Sequence, residues 1–333
     1  MGKEFRAVTK DDIRSYLNHL QNRGLKQGSI DIIKTRLRTF YMWLNNNKGY
    51  PECVEWLRAG LSYRSVFPQD VLKEDEIGAM IEAGQNLRDK AIVAVLYESG
   101  CRAGEFVGMC IKDIEFDDYG AKVKVKGKTG ERIIRLINSV PYLKQWLKCH
   151  PLKNNPDTPV WIETDSEQEG RVEGLTTAMV NHIIKRIAKN AQIKKRVYSH
   201  LIRHSRATAT ASKIPEAYMK RMFGWTDKSD MPSRYIGITQ QDVDSLIMKA
   251  IYGIDTTNKV EKINKRLMPK TCFNCGENNP FDFDYCTKCN FPLDENAIKM
   301  REKRFMALLT PEMIEKMIEE KVEELLMQKI AAR

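Results

Sequence analysis

From Thr9 onward, apolar residues recur at Ile13, Leu17 and Leu20, with Tyr16 beside them, at the three-and-four spacing of one helix face. Thr9 ahead of Asp11 and Asp12 is an N-cap followed by an acidic first turn, and Gly24 is a stop. A second helix is expected to open at Ser29 and to run through Ile33, Leu37, Phe40, Tyr41 and Leu44, with Lys34, Arg36 and Arg38 on a basic face. Residues 1–64 therefore read as a small helical domain, and Pro68 marks a boundary. Beyond it, Lys73-Glu74-Asp75-Glu76 begins a helix carrying Ile77, Met80 and Ile81. Another runs from Asp89 through Ile92, Val95 and Leu96 to Gly100.

The period then changes from helix to strand. Ala121 to Lys126 alternates apolar residues with lysine, Gly127-Lys128-Thr129-Gly130 turns, and Ile133, Ile134, Leu136 and Ile137 return, which predicts a β-hairpin. Helical spacing resumes from Tyr142 and again from Thr176 to Ala191, with a polar, loop-rich stretch over 152–174. Residues 255–270 read as a linker and 295–333 as a highly charged helical segment. In that segment Thr310 and Pro311 fit an N-cap and first helical position. An apolar stripe of Met313, Met317, Ile318, Leu325 and Leu326 fits a partner helix, self-association or packing on its own chain. There is no internal repeat.

Composition narrows the partners. The 333 residues carry a net charge of +11 and are 42% hydrophobic, which suits two or three cored domains that attract polyanions: DNA, RNA or an anionic membrane surface. No run approaches the roughly 20 apolar residues of a spanning helix, and no signal peptide opens the chain, so a cytoplasmic, nucleoid-associated protein is expected. Cys272-Phe-Asn-Cys275 and Cys286-Thr-Lys-Cys289 form two paired motifs with ten residues between them, and Gly276 permits a tight turn after the first. Four thiolates at this spacing make a closed, tetrahedral structural zinc site, and so small a unit folds only with its metal. The segment 270–293 resembles a zinc ribbon. Cys53, Cys101, Cys110 and Cys149 are scattered. No glycine-rich loop followed by Lys-Ser or Lys-Thr and no acidic cluster is present, so neither ATP nor a catalytic metal is expected.

One set of residues suits phosphodiester chemistry, which needs a nucleophile, cationic donors for the nonbridging oxygens and an acid for the leaving oxygen. In Tyr198-Ser-His200-Leu-Ile-Arg203-His204, His200 and Arg203 share a helix face and Ser199 is placed to cap it. In Glu98-Ser-Gly-Cys-Arg102-Ala-Gly-Glu105 an arginine follows a glycine turn, and Glu105 one turn later can orient it. The hairpin offers Lys128 at its tip, with Lys126 as the nearest rival. Gly224-Trp225 follows, and Tyr235 stands ten residues beyond Trp225, with Tyr252 as a rival nucleophile expected to pack on a trailing helix.

In order and approximate spacing across residues 68–255, these residues resemble the tyrosine recombinase (phage integrase) family. Arg102, Lys128, His200, Arg203, Trp225 and Tyr235 match that family's arginine box, hairpin lysine, His-x-x-Arg-His box, Gly-His or Gly-Trp pair and tyrosine. Trp225 stands where most members have histidine, and the first box reads Ser-Gly-Cys-Arg-Ala rather than Thr-Gly-Leu-Arg-Ile. The resemblance implies a multidomain fold: a helical core-binding domain (1–64), a mixed α/β catalytic domain (68–255), the zinc ribbon (270–293) and a C-terminal helix (295–333). The two larger domains would embrace double-stranded DNA. It implies that Tyr235 forms a 3′-phosphotyrosyl link, Arg102 and Arg203 hold the phosphate, and Lys128 protonates the leaving 5′ oxygen. His200 would assist the tyrosine's proton or the phosphate, Trp225 would donate its indole N–H and pack the site, and His204 and Glu105 would support. A homotetramer on two DNA sites, no membrane and no small-molecule substrate follow. The use would be integration or excision of a mobile element, or resolution of chromosome dimers. Type IB topoisomerase-like relaxation and a non-catalytic DNA-binding regulator are the alternatives on the same residues.

Overall fold

A computed structural model describes residues 3–58, 71–128, 130–163, 173–211, 213–235, 247–248, 251–253, 267–308 and 322. The chain divides into two compact units, Met1–Ser65 and Val66–Arg333. The first holds α1 (Lys10–Asn22), α2 (Gln27–Leu44) and the short α3 (Glu52–Glu55). Thr9 caps α1 reciprocally. Its hydroxyl accepts the Asp12 N–H at 3.3 Å while the Asp12 carboxylate accepts the Thr9 N–H at 2.9 Å. Ile13, Leu17 and Leu20 then face Ile30, Tyr41, Val54 and Leu57 in one core, whereas Tyr16 lies at its exposed edge. α2 starts at Gln27, ahead of the expected Ser29, with no side-chain cap on Lys26. Part of its basic face has local partners, since Lys34 pairs with Asp31 at 3.5 Å and the Arg38 guanidinium lies 4.1 Å from the Tyr50 ring centre.

The second unit is built around α5 (Leu87–Ser99). Ala91 to Tyr97 are buried on every face of it, as a helix enclosed by others must be. Around it pack α4 (Glu74–Glu82), α7 (Val140–Cys149), α8 (Thr177–Asn190) and α9 (Ser199–Ala211), with α6 (Ala103–Val107) against α8 and α10 (Glu216–Phe223) against α9. Gly100 ends α5 in the left-handed region at φ 56°. A Cβ there would stand 2.5 Å from the Phe223 ring, so only glycine turns the chain into Arg102 at this point.

The expected hairpin is present as β2 (Gly120–Gly127) and β3 (Gly130–Leu136), paired antiparallel from Ala121↔Leu136 to Gly127↔Gly130. Ala121, Val123 and Val125 face inward. On β3 only Ile134 and Leu136 of the apolar residues do. Ile133 is exposed, and Ile137, just past the strand, is too, because neighbours on a strand point to opposite faces. A third strand, β1 (Ile114–Asp117), pairs with β2. It is too short, and its Phe116 too exposed, for alternation to have announced it. Glu98 joins the sheet to α7: its carboxylate accepts the N–H groups of Ile137, Asn138 and Ser139 at 3.0, 2.9 and 2.8 Å. The stretch expected to be loop carries a buried plug, Val160-Trp161-Ile162, in which Trp161 stacks on Phe106 at 4.4 Å.

The cysteine segment folds as β4 (Lys270–Thr271) paired with β5 (Asn278–Asn279), followed by α11 (Glu295–Leu308). It rests on the helical body. Asp282 accepts a hydrogen bond from the Tyr142 hydroxyl at 2.6 Å and an ion pair from Lys90, and Phe281 meets the Tyr142 ring edge-on at 6.0 Å. Among the described residues no helix is long and apolar enough to cross a membrane. Pro68, most of the 255–270 linker and the stripe from Met313 to Leu326 lie outside the described residues.

Candidate active site

The sequence-predicted arginines converge on one helix end. α10 finishes at Phe223, and Gly224 caps it in the left-handed region. Its last carbonyls are acceptors for guanidinium groups: Phe223 O for Arg203 Nη2 at 2.6 Å and Gly224 O for Arg102 Nη2 at 2.9 Å. Arg203 is buried within α9 and also donates to Gly100 O at 2.7 Å. Arg102 is half-exposed at the head of α6 and donates to Glu105 Oε1 at 2.8 Å, and Glu105 Oε2 accepts the Arg102 N–H at 2.7 Å.

A third arginine completes the set, and the sequence motifs did not single it out. Arg132 on β3 forks onto Glu105 with bonds of 3.0 and 2.8 Å and donates through Nε to Met222 O at 3.0 Å. Its signal was available in the period. Counting back by two from Leu136 and Ile134 puts Arg132 on the inward face, where an unpaired charge is costly. Burial opposes ionisation of Glu105, but its bonds from Arg132 and from the Arg102 backbone and side chain outweigh it and carry the carboxyl down to about 2. Burial and then the charge of Arg102 pull Arg203 down to about 10, so it remains a cation at neutral pH. Arg102 and Arg132 share the buried Glu105 carboxylate while Arg203 bonds only carbonyls, so three guanidinium groups gather around one carboxylate and leave two positive charges in excess.

The two histidines of the box are placed differently. His200 lies toward solvent, its pKa lowered by desolvation and by Arg203 and Arg102. His204, one turn on, is the residue whose Nδ1 meets the Tyr235 hydroxyl. Desolvation first, then His200 and Arg203, lower His204 to about 4, so its ring is neutral. Tyr235 is 7% exposed and lies parallel to Trp225 at 5.6 Å, with Trp225 in turn stacked on Phe223 at 5.0 Å. The Arg203 guanidinium sits 5.7 Å from the Trp225 ring centre. Ser199 is the first residue of α9 rather than the residue before it, and Asn181 Oδ1 takes its N–H at 2.8 Å. Lys128 stands exposed at the hairpin tip with no acidic partner among the described residues. Its rival Lys126 lies 3.8 Å from Glu131. Gly127, just before Lys128, packs directly on the Glu105 carboxylate, where a Cβ would stand 2.3 Å from Oε1. Tyr252 is 65% exposed rather than packed.

A second, separate centre is formed by Cys272, Cys275, Cys286 and Cys289, whose sulfurs all lie within 4.8 Å of one another and could hold a metal ion. Cys272–Cys289 and Cys275–Cys286 are 3.6 and 3.5 Å apart. Tetrahedral zinc with bonds of about 2.3 Å needs sulfurs about 3.8 Å apart, so this donor set fits that ion. Two N–H groups, from Lys288 and Asn279, point at Cys286 Sγ at 3.4 and 3.6 Å, as suits a thiolate.

The model of the phage integrase family matches residues 70–242, which hold every residue of the arginine, histidine and tyrosine cluster. A tyrosine recombinase of Synechococcus elongatus is 32% identical over 130 residues, covering 38% of this chain and 40% of that protein. The tyrosine recombinase XerC of Pelotomaculum thermopropionicum is 27% identical over 224 residues, covering 62% of this chain and 71% of that one. In structure, the XerH site-specific recombinase, solved bound to palindromic difH substrate in a post-cleavage complex, matches with a TM-score of 0.56 at 18% identity. That match covers 75% of this chain and 74% of that one, and it shows a shared fold. Because the family's model spans more than half of its 333 residues and takes in the whole cluster, the chain belongs to the phage integrase family.

Proposed function

We propose that this protein is a tyrosine-type site-specific DNA recombinase that breaks and rejoins duplex DNA through Tyr235. The observation that carries the reading is the cationic excess around Glu105, set beside a buried tyrosine whose hydroxyl touches a neutral imidazole. A scissile phosphate would supply the missing negative charge, and Arg102 and Arg203 would hold its nonbridging oxygens as charge builds. The Tyr235 oxygen attacks phosphorus while its proton passes to His204 Nδ1, with Nε2 carrying that ring's own proton. The 5′ oxygen departs and takes a proton from Lys128. The 3′-phosphotyrosyl bond conserves the energy of the broken linkage, and a 5′ hydroxyl from a partner strand reverses the step. Trp225 holds the Tyr235 ring by stacking, and His200, at the exposed mouth beside both arginines, is placed to donate to the phosphate. Exchange between two duplexes breaks four strands, and one tyrosine per chain then calls for a homotetramer.

The domain limits follow the same reading: a DNA-holding helical domain over 1–64, the catalytic domain over 68–255, a zinc ribbon over 270–293 and a charged helical segment over 295–333. Structural Zn²⁺ bound by the four cysteines would hold the ribbon's two turns together, and DNA would be the partner that the charge of +11 attracts.

The test uses a pool of nicked duplexes with randomised arms, in which a departing short strand traps the covalent state. DNA that remains attached to the protein after denaturation is recovered and sequenced. The reading expects enrichment of one inverted-repeat core by the wild type and none by Arg203→Ala. A wild type that captures no DNA, or that captures all sequences alike, contradicts it.

A further inference from the structure

Three successive carbonyls at the end of α10 are each taken by a different arginine. Met222 O accepts from Arg132, Phe223 O from Arg203 and Gly224 O from Arg102. The negative end of a helix dipole suits three cations, but their mutual repulsion does not. Glu105 relieves two of them, because its carboxylate binds both Arg102 and Arg132 while accepting the Arg102 backbone N–H. Gly224 makes room for the group: a Cβ there would stand 2.8 Å from Arg132 Nη1.

The consequence lies in what each arginine has left to offer. Arg102 keeps a half-exposed fork, 34% exposed at the side chain, available to an incoming anion. Arg132 keeps nothing, because it is 12% exposed and all three of its nitrogens are engaged in the protein. Arg132 also sits on the strand that follows the Lys128 turn, while Gly127 before that turn rests on Glu105. It is therefore a side chain that bonds the Arg102–Glu105 pair and the end of α10 to the hairpin at once.

We propose that Arg132 is a positioning residue for strand cleavage: it fixes Glu105 and the Met222 carbonyl, and through them sets the fork of Arg102 toward the scissile phosphate. This rests on the reading in which Arg102 holds that phosphate. Without Arg132, Glu105 would keep Arg102 as its sole side-chain partner and draw its guanidinium inward, away from the anion. The end of α10 would lose one of its three ties, and the lysine hairpin would keep only the packing of Gly127 on Glu105 as its link to the arginines.

Full-length protein is assayed on the duplex recovered from the randomised pool, with duplex affinity and single-turnover adduct formation measured separately. Arg132→Met is expected to slow adduct formation about 100-fold, the scale of losing one preorganised donor. Arg132→Lys, which keeps the charge but not the fork, is expected to slow it about 10-fold. Affinity should stay within about threefold, because most phosphate contacts lie elsewhere along the duplex. The decisive readout is the cycle with Arg102→Ala. If Arg132 acts through Arg102, the double variant is no slower than Arg102→Ala alone. A methylphosphonate at the scissile position, which removes one nonbridging charge, should shrink the Arg132→Lys defect as well. Multiplicative defects in the cycle, or an Arg132→Lys variant that melts early yet cleaves at the wild-type rate per folded molecule, overturn the proposal. An Arg102→Ala variant that cleaves normally removes instead the phosphate-holding reading, and the proposal with it.

Discussion

Replacing Asp282 by alanine tests whether the cysteine segment is a structural part of the second unit. The Asp282 side chain is 7% exposed and accepts from Tyr142 and Lys90 at once. The Tyr142 ring is buried, and burial together with Asp282 raises its pKa, so its hydroxyl stays a donor. Asp282→Ala leaves that O–H without its acceptor and the Lys90 ammonium without its counter-charge. A buried pair broken on one side costs about 3–5 kcal/mol, and Lys90 is exposed enough to recover part of its hydration, so we expect about 2–4 kcal/mol. At roughly 2–4 °C per kcal/mol for a unit of this size, the melting temperature should fall by about 5–15 °C. Asp282→Asn keeps an acceptor for Tyr142 and should fall between the two. The assay is thermal melting of the full chain with and without a zinc chelator. Chelation should by itself lower the transition, because the four sulfurs shape the turns that present Asp282. After chelation, Asp282→Ala should add less than about 1 kcal/mol, as expected when two changes remove one interface. A variant melting within 1 °C of the wild type, or equal losses with and without chelator, would refute the clasp.

Further outcomes follow from the same contacts. Gly127→Ala drives a Cβ into the Glu105 carboxylate and should cost about 1–3 kcal/mol and most cleavage activity. Gly104→Ala meets nothing within 4 Å inside a helix and should be neutral or stabilising by up to about 1 kcal/mol; equal melting shifts for the two would contradict this packing. His204, with its folded pKa near 4 against 6.5 in the unfolded chain, is neutral when folded. The unfolded state thus binds the extra proton as pH falls, so its stabilising contribution is full above 6.5 and is lost between 6.5 and 4. Its imidazole resonance should stay unshifted from pH 8 down to 5.5 in the free protein, and a midpoint near 6.5 would contradict the neutral, tyrosine-bound ring. Glu105 is shifted in the same direction and loses its contribution on acidification too, at lower pH. Depressed to about 2, it contributes above the ordinary carboxylate range and is lost only as pH falls toward 2, so acid melting should steepen below pH 4.5 and should lessen in Glu105→Gln.

Much of this was legible in the chain because its elements follow simple periods. The Thr9 cap, the stripe of Ile13, Leu17 and Leu20, and the lysine-alternating strand β2 each bury the face that their spacing assigns. α5 was legible as a helix from Asp89 through Ile92, Val95 and Leu96 to Gly100, but its burial on every face was not, since that depends on the helices that surround it. The strand β1 and the plug at Val160-Trp161-Ile162 escaped because four or fewer residues carry too little pattern to stand out. In the site, Arg102, Arg203 and Tyr235 were found as residue types in order, and the structure brings them to the end of α10. Arg132 was missed because its importance lies in a contact between a strand and a helix end far apart in sequence. The exchange of His200 for His204 at the tyrosine was equally hidden: both lie on one face of α9, and only the return of the chain after Trp225 decides which ring Tyr235 meets.

The central claim concerns one oxygen atom. DNA trapped on the protein from a nicked duplex can be digested with protease and nuclease, and the remaining nucleotide-bearing peptide sequenced by mass spectrometry. The account predicts a 3′-phosphonucleotide on the peptide containing Tyr235, lost in Tyr235→Phe without loss of duplex binding. A nucleotide carried by Tyr252 or any other residue, or an adduct that persists in Tyr235→Phe, would contradict it.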